Sequence, residues 1–76
     1  MINNMDINKF TEIVRKEYAE VANALKEAEA EYNANRRSIK KRETFQFVAA
    51  QEIELSELCG KLGIELWNDN MELIGG

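Results

Sequence analysis

Residues 32–38 read YNANRRS and lie at the point where one pattern of apolar residues ends and a second begins. Before this stretch, apolar side chains recur at alternating spacings of three and four residues, as along the contact face of a coiled-coil helix. These positions are Ile7, Thr11, Val14, Tyr18, Val21, Leu25, Ala28 and Tyr32, of which only Thr11 does not fit the apolar pattern. The pattern resumes one residue out of phase at Phe45, and it continues through Val48, Leu55, Cys59 and Leu62.

The change of phase coincides with Asn33, Asn35 and Ser38, whose side chains favour turns and helix caps over helix interiors. We therefore predict a helix over residues 5–34, a turn over 33–38 and a second helix over 38–62. The two helices would form an antiparallel, coiled-coil-like hairpin. One long continuous helix is the alternative, because no Gly or Pro interrupts residues 2–58.

The end of the second helix is marked by Gly63, which follows Leu62. A left-handed glycine at this position would form a Schellman cap and fold Ile64 back onto Cys59. Two short apolar runs follow, separated by the turn-forming sequence NDN at residues 68–70. This pattern predicts a short β-hairpin over residues 64–74, which must lie on the helices or pair with another chain because isolated hairpins are marginally stable. A short helix from Asn68 is the alternative.

The length and the apolar pattern together predict one small, mainly α domain that spans residues 1–76. The chain carries a net charge of −4 and contains no His and one Cys. These counts argue against zinc sites and against Ser-His and Cys-His mechanisms, and we predict a non-enzymatic protein without a cofactor. No run of eighteen apolar residues and no signal-peptide pattern is present, so we expect no membrane partner and a cytoplasmic location.

Five bases without an intervening acid cluster at the predicted turn, and we call them the basic turn: Arg36, Arg37, Lys40, Lys41 and Arg42. Arginine forks and the free amides of a helix N-terminus bind phosphate groups well. The alternative is a solvated turn whose bases attract Glu31 and Glu43. Because the net charge is negative, we expect small anions, nucleotides or single strands as ligands in preference to duplex DNA.

The apolar residues of the second helix spread over roughly 240° of its circumference, more than one partner helix covers. We therefore predict a homo-oligomer, a dimer, with this interface: Phe47, Glu52, Leu55, Leu58, Leu62 and Trp67. Glu52 falls inside the apolar arc. It either reaches solvent through a gap between two apolar stripes or forms a buried ion pair that sets the dimer register.

We identify no family motif in the sequence. The pattern favours a small acidic protein-interaction module, an oligomeric regulator or inhibitor that binds a partner protein. Phage or other viral accessory proteins are comparable in size and character only. The alternative is a binder of small anionic ligands such as nucleotides, or of single-stranded nucleic acid, through the basic turn.

Overall fold

The computed structural model describes residues 4–74, with side chains from residue 7 onward. Two helices, α1 (Asn4–Ala34) and α2 (Ile39–Leu62), pack against each other. Tyr32 near the end of α1 stacks on Phe45 near the start of α2, whereas Tyr18 contacts the later part of α2, so the helices run antiparallel. The predicted helical hairpin is confirmed, and the alternative of one continuous helix is wrong.

The turn between the helices spans residues 35–38 and is closed by local hydrogen bonds. The backbone N–H of Asn35 donates to the Tyr32 carbonyl at 3.0 Å, and that of Ser38 donates to the Asn35 carbonyl at 3.1 Å. Ser38 is the N-cap of α2, because its backbone is extended and its Oγ accepts the Lys41 N–H at 3.2 Å. The cap satisfies one of the amides that a helix N-terminus leaves without an intrahelical partner.

The predicted cap at the end of α2 is confirmed. Gly63 has a φ of 72° and its N–H donates to the Gly60 carbonyl at 3.3 Å, while the Ile64 N–H donates to the Cys59 carbonyl at 2.9 Å. This pair of bonds defines a Schellman motif. Ile64 packs against the buried cluster that contains Cys59, which is the apolar contact expected beside such a cap.

The predicted β-hairpin over residues 64–74 does not form, and we call this segment the C-terminal loop. No strand occurs within residues 4–74, where the loop contains one isolated antiparallel bridge between Trp67 and Leu73. Asn68 organises the loop, since its Oδ1 accepts the N–H groups of Asn70 and Glu72 at 2.9 and 3.0 Å. An asparagine that binds backbone amides in this way favours an irregular turn over a ladder. The alternative of a short helix from Asn68 is also wrong.

The C-terminal loop lies on the helices and completes a small core. The buried hydrophobic residues are Tyr18, Ala19, Ala28, Cys59 and Leu66. Tyr18, Cys59 and Leu66 form one cluster, against which the partly buried Ile64 and Leu73 pack. The Arg15 Nε donates to the Glu65 carbonyl at 2.8 Å and ties the loop to α1. No helix in the described part of the chain is long and apolar enough to cross a membrane.

Candidate protein-interaction surface

Large apolar side chains remain at the surface of the hairpin, with between 47 and 78% of each exposed. They are Ile7, Phe10, Ile13, Ile39, Phe47, Ile53, Leu58, Leu62, Trp67 and Met71. Single exposed apolar residues are ordinary in soluble proteins, whereas several on one helix face indicate a contact surface. The arrangement of these side chains on α1 and α2 is therefore the informative feature.

Three of these residues form a line on α2, and we call Phe47, Leu58 and Leu62 the outer stripe. At 100° per residue they fall within about 60° of the helix circumference. Their exposed fractions are 65, 49 and 51%. In contrast, Cys59 on the inner side of α2 is fully buried against Tyr18 and Leu66. The stripe is uncovered because α1 and the C-terminal loop pack on the side of α2 that carries Leu55 and Cys59.

A shallow groove of about 290 Å³ borders the outer stripe. It lies between the two helices and is lined by Val21 of α1 and by Gln51, Glu54, Leu55 and Leu58 of α2. Leu58 belongs to both the groove and the stripe. The surface thus presents apolar projections beside a depression lined by apolar and polar side chains, a shape that helices use when the ridges of one fit the grooves of another.

A second uncovered area lies at the start of α1, and we call Ile7, Phe10 and Ile13 the N-terminal patch. With 31 residues against 24 in α2, α1 is the longer helix by about 10 Å at 1.5 Å per residue. The first turns of α1 therefore extend past the end of α2. A groove of about 890 Å³ runs beside the patch, between residues 8–16 and Ile74.

The structure divides the residues predicted for the dimer interface into two groups. Phe47, Leu58, Leu62 and Trp67 are exposed, whereas Glu52 and Leu55 are partly buried and make contacts within the chain. Leu55 packs against the core cluster, and Glu52 accepts a hydrogen bond from Tyr18. The dimer itself stays a prediction.

Tyr18 and Glu52 form the polar contact at the centre of the hairpin. The Tyr18 hydroxyl donates to Glu52 Oε1 at 2.6 Å, a short bond of the charge-assisted kind. The pKa of Tyr18 is raised to about 12. Burial is the largest cause, and the hydrogen bond to Glu52 is the next largest. Glu52 is partly buried, and a phenol of its own chain orients its carboxylate. The ion pair that would set a dimer register stays a prediction.

Cys59 is fully buried among apolar side chains. Burial raises the pKa of its thiol, and the nearby Arg15 opposes this effect. A raised pKa keeps the thiol protonated at neutral pH, and the protonated form is a poor nucleophile. Within the part of the chain that the structure describes, no cluster of three or more potential metal ligands occurs.

The basic turn lies at the end of the hairpin where α1 and α2 are joined. Arg36 donates from Nη2 to Asn33 Oδ1 at 3.0 Å, and its Cζ lies 5.8 Å from the centre of the Tyr32 ring. Arg36 thus stabilises the turn locally, by a hydrogen bond and a cation–π contact. Lys41 is half-buried, while Arg37, Lys40 and Arg42 are exposed.

The sequence pattern did not indicate the N-terminal patch or the role of Asn68. The signal for the patch was the unequal length of the two predicted helices, 5–34 and 38–62, which leaves the start of α1 without a facing helix. Residues 68–70 were recognised as turn-forming, yet the sequence did not show that Asn68 would bind two backbone amides. Comparison of the chain with family models, with characterised proteins and with solved structures finds no match.

Proposed function

We propose that this chain is a non-enzymatic protein-interaction module, an oligomeric regulator or inhibitor that binds a partner protein. The binding surfaces are the outer stripe and the N-terminal patch. The free Cys59 thiol suits a reducing compartment, and we place the protein in the cytoplasm.

The exposure of large apolar side chains on both helices carries the proposal. Burying a Leu, Ile or Phe side chain is worth about 1.5–3 kcal/mol, so burying the exposed half of one contributes about 1 kcal/mol. A partner that covers the three residues of the N-terminal patch gains about 3 kcal/mol from these side chains alone. The net charge of −4 favours a partner with a basic rim around its own apolar site.

Affinity capture with matched variants tests this function. Phe10→Glu places a charge in the N-terminal patch, and Ile53→Glu places the same charge on another exposed apolar residue. The two side chains are equally accessible, at 53 and 54%. We expect the wild type and Ile53→Glu to capture the same partner and Phe10→Glu to lose it, with circular dichroism showing equal helix content. If all three proteins capture the same set, the N-terminal patch is not a binding surface.

A second candidate function is the binding of small anions, nucleotides or single-stranded nucleic acid through the basic turn. The observation in its favour is that the first turn of α2 contains no acidic residue while Arg37, Lys40 and Arg42 are exposed. Titration of a nucleotide, a single-stranded oligonucleotide and a duplex at low salt separates the two functions. Binding that disappears when these three bases are replaced by Gln, and that weakens steeply with salt, favours the anion site. Tight binding of the duplex contradicts both functions.

A further inference from the structure

Helix α1 carries a second line of residues at alternating spacings of three and four, in addition to the line that contains the buried Tyr18. All of its members are exposed, and we call them the exposed face of α1: Phe10, Ile13, Glu17, Glu20, Ala24, Glu27 and Glu31. At 100° per residue they fall within about 100° of the helix circumference. This spacing allows a second helix to follow the face along its whole length, as in a coiled coil.

The chemistry of the exposed face changes along the helix. It begins with Phe10 and Ile13 of the N-terminal patch, which are 53 and 54% exposed. The remainder consists of four glutamates and one alanine. Lys9 and Lys16 lie beside the face only near the patch, whereas residues 17–34 contain five acids and one base. The face therefore joins an apolar end to a negatively charged stretch.

The glutamates toward the end of α1 lack compensating charges within the helix. Glu27 and Glu31 are four residues apart, so two like charges meet on successive turns, an arrangement that destabilises a helix. Neither has a base three or four residues away, and the last turn of α1 contains no base. Negative charge near a helix C-terminus is also unfavourable. A base supplied by another chain would relieve this repulsion.

We propose that the exposed face of α1 binds a basic amphipathic helix of the partner protein. Apolar side chains of that helix cover Phe10 and Ile13, and its Lys or Arg side chains lie opposite the glutamates. The face is about 30 Å long, so a partner helix of about 20 residues covers it. This inference rests on the proposed function, because it names the chemistry of the partner that binds the N-terminal patch.

Charge complementarity selects a basic helix over a copy of the same face. The exposed face of a second chain would bring the same four glutamates against these, and like charges that meet across an interface repel. A basic helix complements the acidic stretch and, with an apolar end, the patch as well. Opposite charges of this kind accelerate association and fix the register of the two helices.

A synthetic helical peptide provides a direct probe. It has two leucines followed by four lysines along one face, at alternating spacings of three and four residues, with Ala and Gln elsewhere. We expect the wild type to bind it in fluorescence anisotropy. The dissociation constant should rise at least about tenfold between about 50 and about 500 mM NaCl, because salt screens exposed charges. The same peptide with glutamates in place of the lysines should not bind.

Two matched charge reversals show where the peptide lies. Glu27 and Glu29 are both exposed residues of α1, and they point about 160° apart around the helix. Glu27→Lys should raise the dissociation constant of the lysine peptide at least about fivefold, and Glu29→Lys less than about twofold. Both variants change the net charge equally. Circular dichroism shows whether each retains the helix content of the wild type.

Absence of binding to the lysine peptide overturns the inference, as do equal effects of the two reversals. Sedimentation of the wild type at low salt identifies another occupant. Self-association that Glu27→Lys abolishes would assign the exposed face to the basic turn of a second copy, and it also overturns the inference. The proposed function fails separately. A partner that Phe10→Glu loses and Glu27→Lys retains contradicts the basic helix and leaves the proposed function standing.

Discussion

The inner and outer faces of α2 carry apolar side chains of similar size and differ in what covers them. On the inner face, Cys59 and Leu55 pack against Tyr18 of α1 and against the C-terminal loop. On the outer face, Phe47 and Leu58 remain about half exposed or more. The inner face therefore contributes to the stability of the monomer, while the outer face is available for association. Substitutions on the two faces should affect different measurements.

The largest expected difference concerns Tyr18 and Leu58. Tyr18→Ala should lower the free energy of unfolding by about 3–5 kcal/mol, because it leaves a cavity beside Cys59 and Leu66. Leu58→Ala should lower it by less than 1 kcal/mol in the monomer, since half of that side chain is exposed. Urea unfolding at low protein concentration measures both free energies. Equal losses would show that the two faces do not differ as the structure indicates.

The hydrogen bond of the inner face provides the next test. Tyr18→Phe keeps the ring and removes the hydroxyl that donates to Glu52, so it should lower the free energy of unfolding by about 1.5–3 kcal/mol. Glu52→Gln retains an acceptor oxygen and loses only the charge, and its effect should be smaller. A Tyr18→Phe protein as stable as the wild type would show that this bond contributes nothing.

The same contact predicts a loss of stability in alkali. The pKa of Tyr18 is raised from 10.0 to about 12 in the folded chain, so between these values the native state retains a proton that the unfolded state has lost. Stability from this group is therefore complete below pH 10 and disappears as the pH rises through about 12. Tyr18→Phe should flatten this part of the pH profile of unfolding.

The smallest effect concerns the glycines at the end of α2, where the C-terminal loop turns back toward the inner face. Gly63→Ala should destabilise the fold by about 1 kcal/mol, because Gly63 has a φ of 72° and alanine is strained there. Gly60→Ala is the matched control, since Gly60 is helical and no atom lies within 4 Å of the added Cβ. It should stabilise α2 by about 0.5–1 kcal/mol. Thermal unfolding of both variants measures the difference in sign.

Local chemistry made the helices and their ends predictable. The predicted boundaries at residues 34, 38 and 62 agree within one residue with α1 and α2, because a change of apolar phase, a Ser cap and a C-terminal Gly act over a single turn. The exposure of Phe47 and Leu58, two residues of the predicted interface, was predictable for a similar reason. The direction in which a helical residue points follows from its position in the sequence, at 100° per residue.

Contacts between distant residues decided the rest. The sequence placed Glu52 inside an apolar arc, but only the packing of α1 on α2 brought the Tyr18 hydroxyl within 2.6 Å of it. Residues 64–74 have the composition of two strands, yet the segment became an irregular loop held by Asn68, Arg15 and the core cluster. Strand pairing over so few residues is worth little by itself, so the surface on which the segment lies determined its conformation.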